Sequence, residues 1–144
     1  MKLRKRPIIL GAVAALAAAL LGFSIFATTD SKPESSSSNV GLVQGTVVVN
    51  FAGSPSQRPA STTTFKVEPG TNAWTAIQQA VGPSNLTSQD FGGDLGILIT
   101  GFYGVPAQGN NFWEFLVNGQ SSGVGVSGYI VRDGDRLEFR YSSF

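Results

Sequence analysis

After residue 40, apolar and polar positions alternate along much of the chain, and the period changes once. Over residues 46–51, Val47, Val49 and Phe51 fall on one side, which predicts a strand. The next ten residues, AGSPSQRPAS, carry two prolines and turn-forming side chains. Residues 63–68 alternate again, with Phe65 and Val67 inward, and the two runs together predict a hairpin with a long loop. Pro69-Gly70 ends it. The spacing then becomes helical at Ala73, Trp74, Ile77, Ala80 and Val81, with Thr71 or Asn72 as N-cap and Gly82-Pro83 as the stop. Trp74 shares a face with Ile77 and Val81 and is expected in the core. A polar loop follows. Residues 95–100 then form an apolar run expected to be a buried strand, and Trp113, Phe115 and Val117 line one face of a strand over 112–117. Asn118-Gly119 suits a tight turn with positive φ. Residues 129–131 predict a short strand, and Asp133-Gly134 a turn. In the last strand, residues 136–141, Leu137, Phe139 and Tyr141 point in, while Arg136, Glu138 and Arg140 point out. One helix among several strands predicts an α+β domain: a β-grasp-like mixed sheet with a single amphipathic helix on one face.

The chain before this domain has a different pattern. Lys2, Arg4, Lys5 and Arg6 precede an uncharged, mostly apolar run of 21 residues, from 7 to 27. A signal-peptide core spans about 7–15 residues and a membrane-crossing helix about 20. Length therefore favours an uncleaved anchor, while Ile25 and Ala27 offer a poor cleavage site for a secreted form. In either case the basic cluster stays inside and the rest is exported. Residues 28–39, TTDSKPESSSSN, have too few apolar groups to fold and are expected to be a flexible stalk. The expected organisation is a signal or anchor over 1–27, a stalk over 28–39 and a folded domain over 40–144.

Composition narrows the chemistry. The 144 residues include no cysteine and no histidine, which excludes disulfides, Cys/His zinc sites, thiol nucleophiles and any imidazole-dependent triad. From residue 40 on, five Lys/Arg face seven Asp/Glu, a mildly acidic balance that argues against nucleic acid as a partner. Gly123, Gly125 and Gly128 match G-x-G-x-x-G, but a strand and a turn follow them, not the helix a dinucleotide needs. Asp133 and Asp135 flank a glycine, as turn aspartates do, and Asp90 and Asp94 read as a solvated loop. Lys66, the one lysine past the stalk, lies on an outward strand face, and no serine sits in a nucleophile-elbow pattern. The expectation is therefore that the chain is not an enzyme. Phe102, Tyr103, Phe112 and Trp113 bracket a loop that includes Asn110 and Asn111. Aromatics beside amides on a loop suit flat or sugar-like ligands. Phe102, Tyr103, Asn110 and Asn111 are the candidate binding residues, with Tyr103 the most exposed in expectation and Trp113 expected in the core.

Several segments carry a resemblance when taken together: Asn72-Ala73-Trp74-Thr75-Ala76-Ile77, Ile99-Thr100-Gly101, the run from Phe112 to Gly119 with its W-x-F-x-V-N-G end, and the Asp133-Gly134-Asp135 turn with the strand after it. In this order around one helix they resemble a bacterial domain family of unknown function related to the C-terminal β-domain of transcobalamin and intrinsic factor. The resemblance implies a β-grasp-like fold in an extracytoplasmic, often membrane-anchored setting, with cobalamin or a similar corrinoid as a candidate ligand. The expected function is a non-catalytic, membrane-tethered binding module displayed outside the cell. Its partners would be a small molecule or a surface protein. The rival expectation is a structural or adhesive surface domain that recognises glycan or protein.

Overall fold

The computed structural model describes residues 41–144. The expected anchor or signal and the stalk lie outside the described residues. The chain order is β1 (Val43–Asn50), β2 (Ser61–Val67), α1 (Ala73–Val81), a 3₁₀ turn at Pro83–Asn85, β3 (Leu86–Asp90), β4 (Ile97–Phe102), β5 (Val105–Pro106), β6 (Asn111–Val117), β7 (Gln120–Ser121) and β8 (Arg136–Ser143). Two sheets form. The larger has the order β2-β1-β8-β6-β7, and the smaller has the order β3-β4-β5. All pairs are antiparallel except β1 with β8, so the larger sheet is mixed. With one α-helix among the described residues, the architecture is mostly β.

The alternation read from the sequence decides which face is covered. Val47, Val49 and Phe51 from β1 and its end, Phe65 and Val67 from β2, Leu137, Phe139 and Tyr141 from β8, and Trp113 from β6 all point to one side and are buried. The helix and the small sheet lie over that side and contribute Ala73, Ala76, Ile77 and Val81, then Ile99, Phe102 and Val105. The helix forms because Asn72 caps it, its side chain accepting from the Thr75 N–H at 3.0 Å, and because Gly82 at φ 86° ends it by donating to the Gln78 carbonyl. Its buried stripe centres on Ala73, Ala76 and Ile77. Trp74 packs against the core from the flank and is only partly buried, because the close approach of the helix to the strands favours alanine at the centre. Gln79 on the helix has a further role: its side-chain oxygen accepts from the Lys66 N–H, an outward-pointing donor on the edge of β2.

Four local expectations are corrected. The stretch after the helix is not all loop. Leu86–Asp90 pairs with β4 as an edge strand whose side chains are mostly exposed, so it has no apolar alternation to reveal it. The strand expected at 95 starts at Ile97, and Leu95 stands 75% exposed on the turn before it. Residues 129–131 form a single bridge, Asn72 to Ile130, made by the Ala73 N–H to the Tyr129 carbonyl and the Val131 N–H to the Thr71 carbonyl; the helix that begins at Ala73 leaves no strand to extend it. Glu138 does point away from the core, yet it is only 4% exposed. Arg136 and Arg140, its i±2 neighbours on the same face, clamp it at 2.8 and 2.7 Å. Two guanidinium partners offset the cost of burying a carboxylate. Glu114, on the next strand of that face, is held below the usual carboxylate range by hydrogen bonds from Ser121 and Ser142.

The Asp133-Gly134-Asp135 turn is where the chain closes. Asp133 accepts from the Gln44 N–H, the Gly134 N–H donates to the Gln44 carbonyl, and the Asp135 carbonyl accepts from Thr46 N–H. The buried Asp135 carboxylate accepts from Asn118 Nδ2 at 3.0 Å, from the Tyr129 hydroxyl at 2.9 Å and from the Arg132 N–H at 2.8 Å. Asn118 at φ 51° and Gly119 at φ 85° make the two-residue turn between β6 and β7, as their pairing in the sequence predicts. Gly45 is on the covered side of β1, where a Cβ would collide with the Asp135 carbonyl oxygen and the Phe65 ring.

Gly45→Ala is expected to destabilise the fold by about 1–3 kcal/mol, the range for overpacking a rigid site. Asp135→Ala strands three donors and is expected to cost about 3 kcal/mol. Urea midpoints at neutral pH check both. Burial, with the Asp135 carboxylate beside it, raises the Tyr129 hydroxyl above its ordinary pKa. Its contribution is therefore complete below the ordinary tyrosine range and is lost as pH rises through the raised value. Tyr129→Phe should shrink that alkaline loss, as read from melting temperature against pH.

Candidate functional site

Strand directions define two ends of the larger sheet. The end of β1, the start of β2, the start of β6 and the end of β8 lie together, as the pairs Val49–Ser61 and Asn111–Ser143 show. Three connections gather at this end: the β1–β2 loop (51–60), the β4–β5 turn and the β5–β6 loop.

The β4–β5 turn is the most constrained of the three. Phe102 pairs with Val105, which leaves Tyr103 and Gly104 as a two-residue turn with φ 49° and 79°. Positive φ is routine for glycine and costly for a bulky aromatic, so the surroundings must hold Tyr103 there. The Tyr103 N–H donates to the Asn85 carbonyl at 2.8 Å, and Arg58 Nη1 donates to the Tyr103 carbonyl at 3.2 Å. The tyrosine hydroxyl pairs with Ser61 Oγ at 3.3 Å. The Arg58 guanidinium lies 5.4 Å from the Tyr103 ring centre and 5.2 Å from that of Phe51, within cation–π range of both. Two shallow cavities flank this turn and share Gly104, Val105 and Pro106. One, of about 220 Å³, is completed by Pro55, Ser56 and Gln108. The other, of about 250 Å³, runs back to the 3₁₀ turn and the start of β3.

The four candidate residues meet different fates. Tyr103 is half-buried at the centre of this end. Asn110 and Asn111 are on the same end, three strands across from Ser61. The Asn111 side chain donates to the Gln108 carbonyl and shapes the loop, while Asn110 receives the Phe144 N–H on its carbonyl and leaves its side chain exposed. Phe102 is fully buried, with its ring edge-on to Trp113 at 5.1 Å, and presents no surface to a ligand. Trp113 is in the core as expected and donates to the Val105 carbonyl beneath the turn. Phe112 stacks on the exposed Phe144 at 4.5 Å and forms an aromatic step beside Asn110. The sequence reading missed Arg58 and Gln108. Arg58, the one charge in the ten-residue loop between two prolines, was the available signal.

A larger groove, about 850 Å³, opens at the opposite end, between Lys66 and the Asp133 turn. Its polar groups are mostly committed to the fold: Asp133 to Gln44, Asp135 to its three donors and Gln79 to the β2 edge. Volume alone therefore does not make it the better site. Asp90 is likewise engaged, accepting from Gly92 N–H at 2.8 Å. Among the described residues, no group of three or more carboxylates comes together to hold a metal ion.

Comparison with solved structures places the fold. Haptocorrin in complex with Cbi is similar over 73% of this chain and 26% of the haptocorrin chain, at 21% identity and a TM-score of 0.59. The chain thus spans about a quarter of the haptocorrin length. A protein from Ruminococcus gnavus ATCC 29149, named as a candidate metal-binding protein, is similar over 72% of this chain and 97% of its own, at 14% identity and a TM-score of 0.49. No curated protein matches the sequence. The fold shared with haptocorrin bears out the resemblance to the transcobalamin C-terminal domain. The family described as domain of unknown function (DUF4430) matches residues 70–143, from the glycine before the helix through β8, and the chain belongs to that family.

Proposed function

We propose that this chain is a non-catalytic binding module, a β-grasp-like domain tethered outside the cell membrane by its N-terminal segment, and that it captures a small flat ligand at the loop end. The observation that carries this reading is the strained Tyr103-Gly104 turn, held by Arg58 and flanked by two cavities. Backbone strain that neighbouring groups must maintain collects at sites where a side chain has to be presented in one pose. The absence of histidine and cysteine, together with the engagement of Asp90, Asp133 and Asp135 in structural bonds, supports a role without catalysis. Fold likeness to haptocorrin is the reason for testing a corrinoid first.

The second reading, a surface domain recognising glycan, is favoured by one feature. Phe144 is 92% exposed and stacked on Phe112 beside the free amide of Asn110. An aromatic face next to an amide suits a sugar ring.

Calorimetry of the purified protein against cobalamin and a simpler corrinoid decides between them. The first reading expects saturable binding, weakened about tenfold or more by Tyr103→Asn, which removes the ring but tolerates the positive φ. Phe144→Ala should leave that binding unchanged. No heat with either corrinoid, together with retention on cell-wall glycan that Phe144→Ala abolishes, would establish the second reading.

A further inference from the structure

One cation stands at the loop end without a carboxylate partner. Residues 51–60, 103–104 and 107–110, the three connections that meet there, include Arg58 and no Asp, Glu or Lys. The acidic side chain nearest to them in sequence, Glu114, is held by Ser121 and Ser142. Among the described residues, the ion pairs join Arg136 and Arg140 to Glu138, and none includes Arg58. The arginine is nevertheless fixed in place. The Ser54 N–H donates to the Phe51 carbonyl at 2.9 Å and the Ala52 N–H to the Asn50 side chain at 3.0 Å, which turns the chain out of β1. Pro55 and Pro59 restrict the backbone on either side. The Arg58 guanidinium lies against the rings of Phe51 and Tyr103, and of its five N–H groups one is spent, on the Tyr103 carbonyl. That carbonyl precedes Gly104, which lines both cavities, and Pro55 and Ser56 of the arginine's own loop line one of them.

Bracing the turn takes a single donor, which a neutral amide could supply. An arginine adds a permanent charge and a planar fork that binds carboxylate or phosphate oxygens in pairs. A charge already positioned by its neighbours gives up little further freedom when it binds such a group. We infer that Arg58 sets the ligand class of the loop end: the captured ligand joins a flat portion to a carboxylate or phosphate group, and the guanidinium receives the anion while the flat portion lies at the cavity beside Gly104. This inference rests on the proposed capture at this end and names the charge of what is captured. Arg58 is exposed, so the attraction is open to screening and affinity falls as salt is added.

Three small probes separate charge from shape: benzoate, phenyl phosphate and the neutral benzamide. Each is titrated into the isotope-labelled full chain in detergent micelles, and the Gly104 N–H and the Arg58 Nε–H are followed by NMR. Arg58→Lys identifies the second signal by its loss. The expected result is a saturable shift of both signals by benzoate, phenyl phosphate or both, with affinity about tenfold or more above that of benzamide and reduced by sodium chloride. Arg58→Gln should abolish the preference for anion read at Gly104, and Arg58→Lys should keep part of it. The tighter of the two anions assigns the group as carboxylate or phosphate. Equal binding of benzamide and benzoate at Gly104 overturns the inference and leaves capture of a neutral ligand standing. A preference for anion that survives Arg58→Gln also overturns it, since another group then supplies the charge. If neither signal moves with any probe, the inference falls, and the corrinoid calorimetry judges the capture reading on its own.

Discussion

The fold depends on β8 lying between β1 and β6. The first and last strands of the described chain run parallel, Thr46 beside Arg136 through Asn50 beside Arg140, and β6 pairs on the far side. A parallel pair needs a long crossover, and here everything from the first hairpin to the last turn serves as that crossover. The Asp133-Gly134-Asp135 turn fixes the register before the strand begins, because its backbone and one side chain bond to Gln44 and Thr46. The Asp135 carboxylate then binds the Asn118 turn, Tyr129 and Arg132 into the same corner. The two most specific of the sequence pieces that carried the family resemblance, W-x-F-x-V-N-G and D-G-D, are thus two halves of one structural joint. What they specify is architecture rather than ligand.

That joint leaves the other end free to vary. One face of the larger sheet is sealed by α1 and the small sheet, with Trp113 packed edge-on against Phe51, Phe102 and Tyr141 beneath the loops. On the opposite face Glu138 lies between the buried Val48 and Leu116 and is paired with two arginines, and two serines hold Glu114. A rigid platform with one ordered end and three loops at the other is the usual arrangement for a site built on loops.

Where burial follows a period, the sequence discloses it. Strands β1, β2 and β8 and the helix with its Asn72 cap were legible because their core-facing side chains recur at a regular spacing; in β6 only Trp113 of the expected stripe is fully buried, while Phe115 and Val117 are partly buried and Leu116 is buried on the other face. The turn at Asn118-Gly119 was legible because few residue pairs accept its backbone. β3 was not, since an exposed edge strand of Leu-Thr-Ser-Gln-Asp buries almost nothing. Nor was the burial of Glu138, which lies between Val48 and Leu116 on the neighbouring strands and pairs with arginines at i±2, an arrangement invisible to a hydropathy pattern. At the candidate site, loop chemistry pointed to Tyr103, Asn110 and Asn111 but could not say which ring of the Phe102-Tyr103 pair turns inward. Arg58 escaped notice because its partner lies 45 residues away in sequence.

Gln79 has one more consequence. Strand β2 is an outer edge of the larger sheet, and its Thr-rich sequence, Ser-Thr-Thr-Thr-Phe-Lys-Val, would suit pairing with a strand from another molecule. The Lys66 amide is already occupied by the Gln79 side chain, so the helix supplies the partner that a neighbouring strand would otherwise provide. A foreign strand can reach only the upper part of this edge, and it loses register where the glutamine blocks it. One uncharged side chain on the helix thus works against domain swapping and fibril growth at that edge of the sheet.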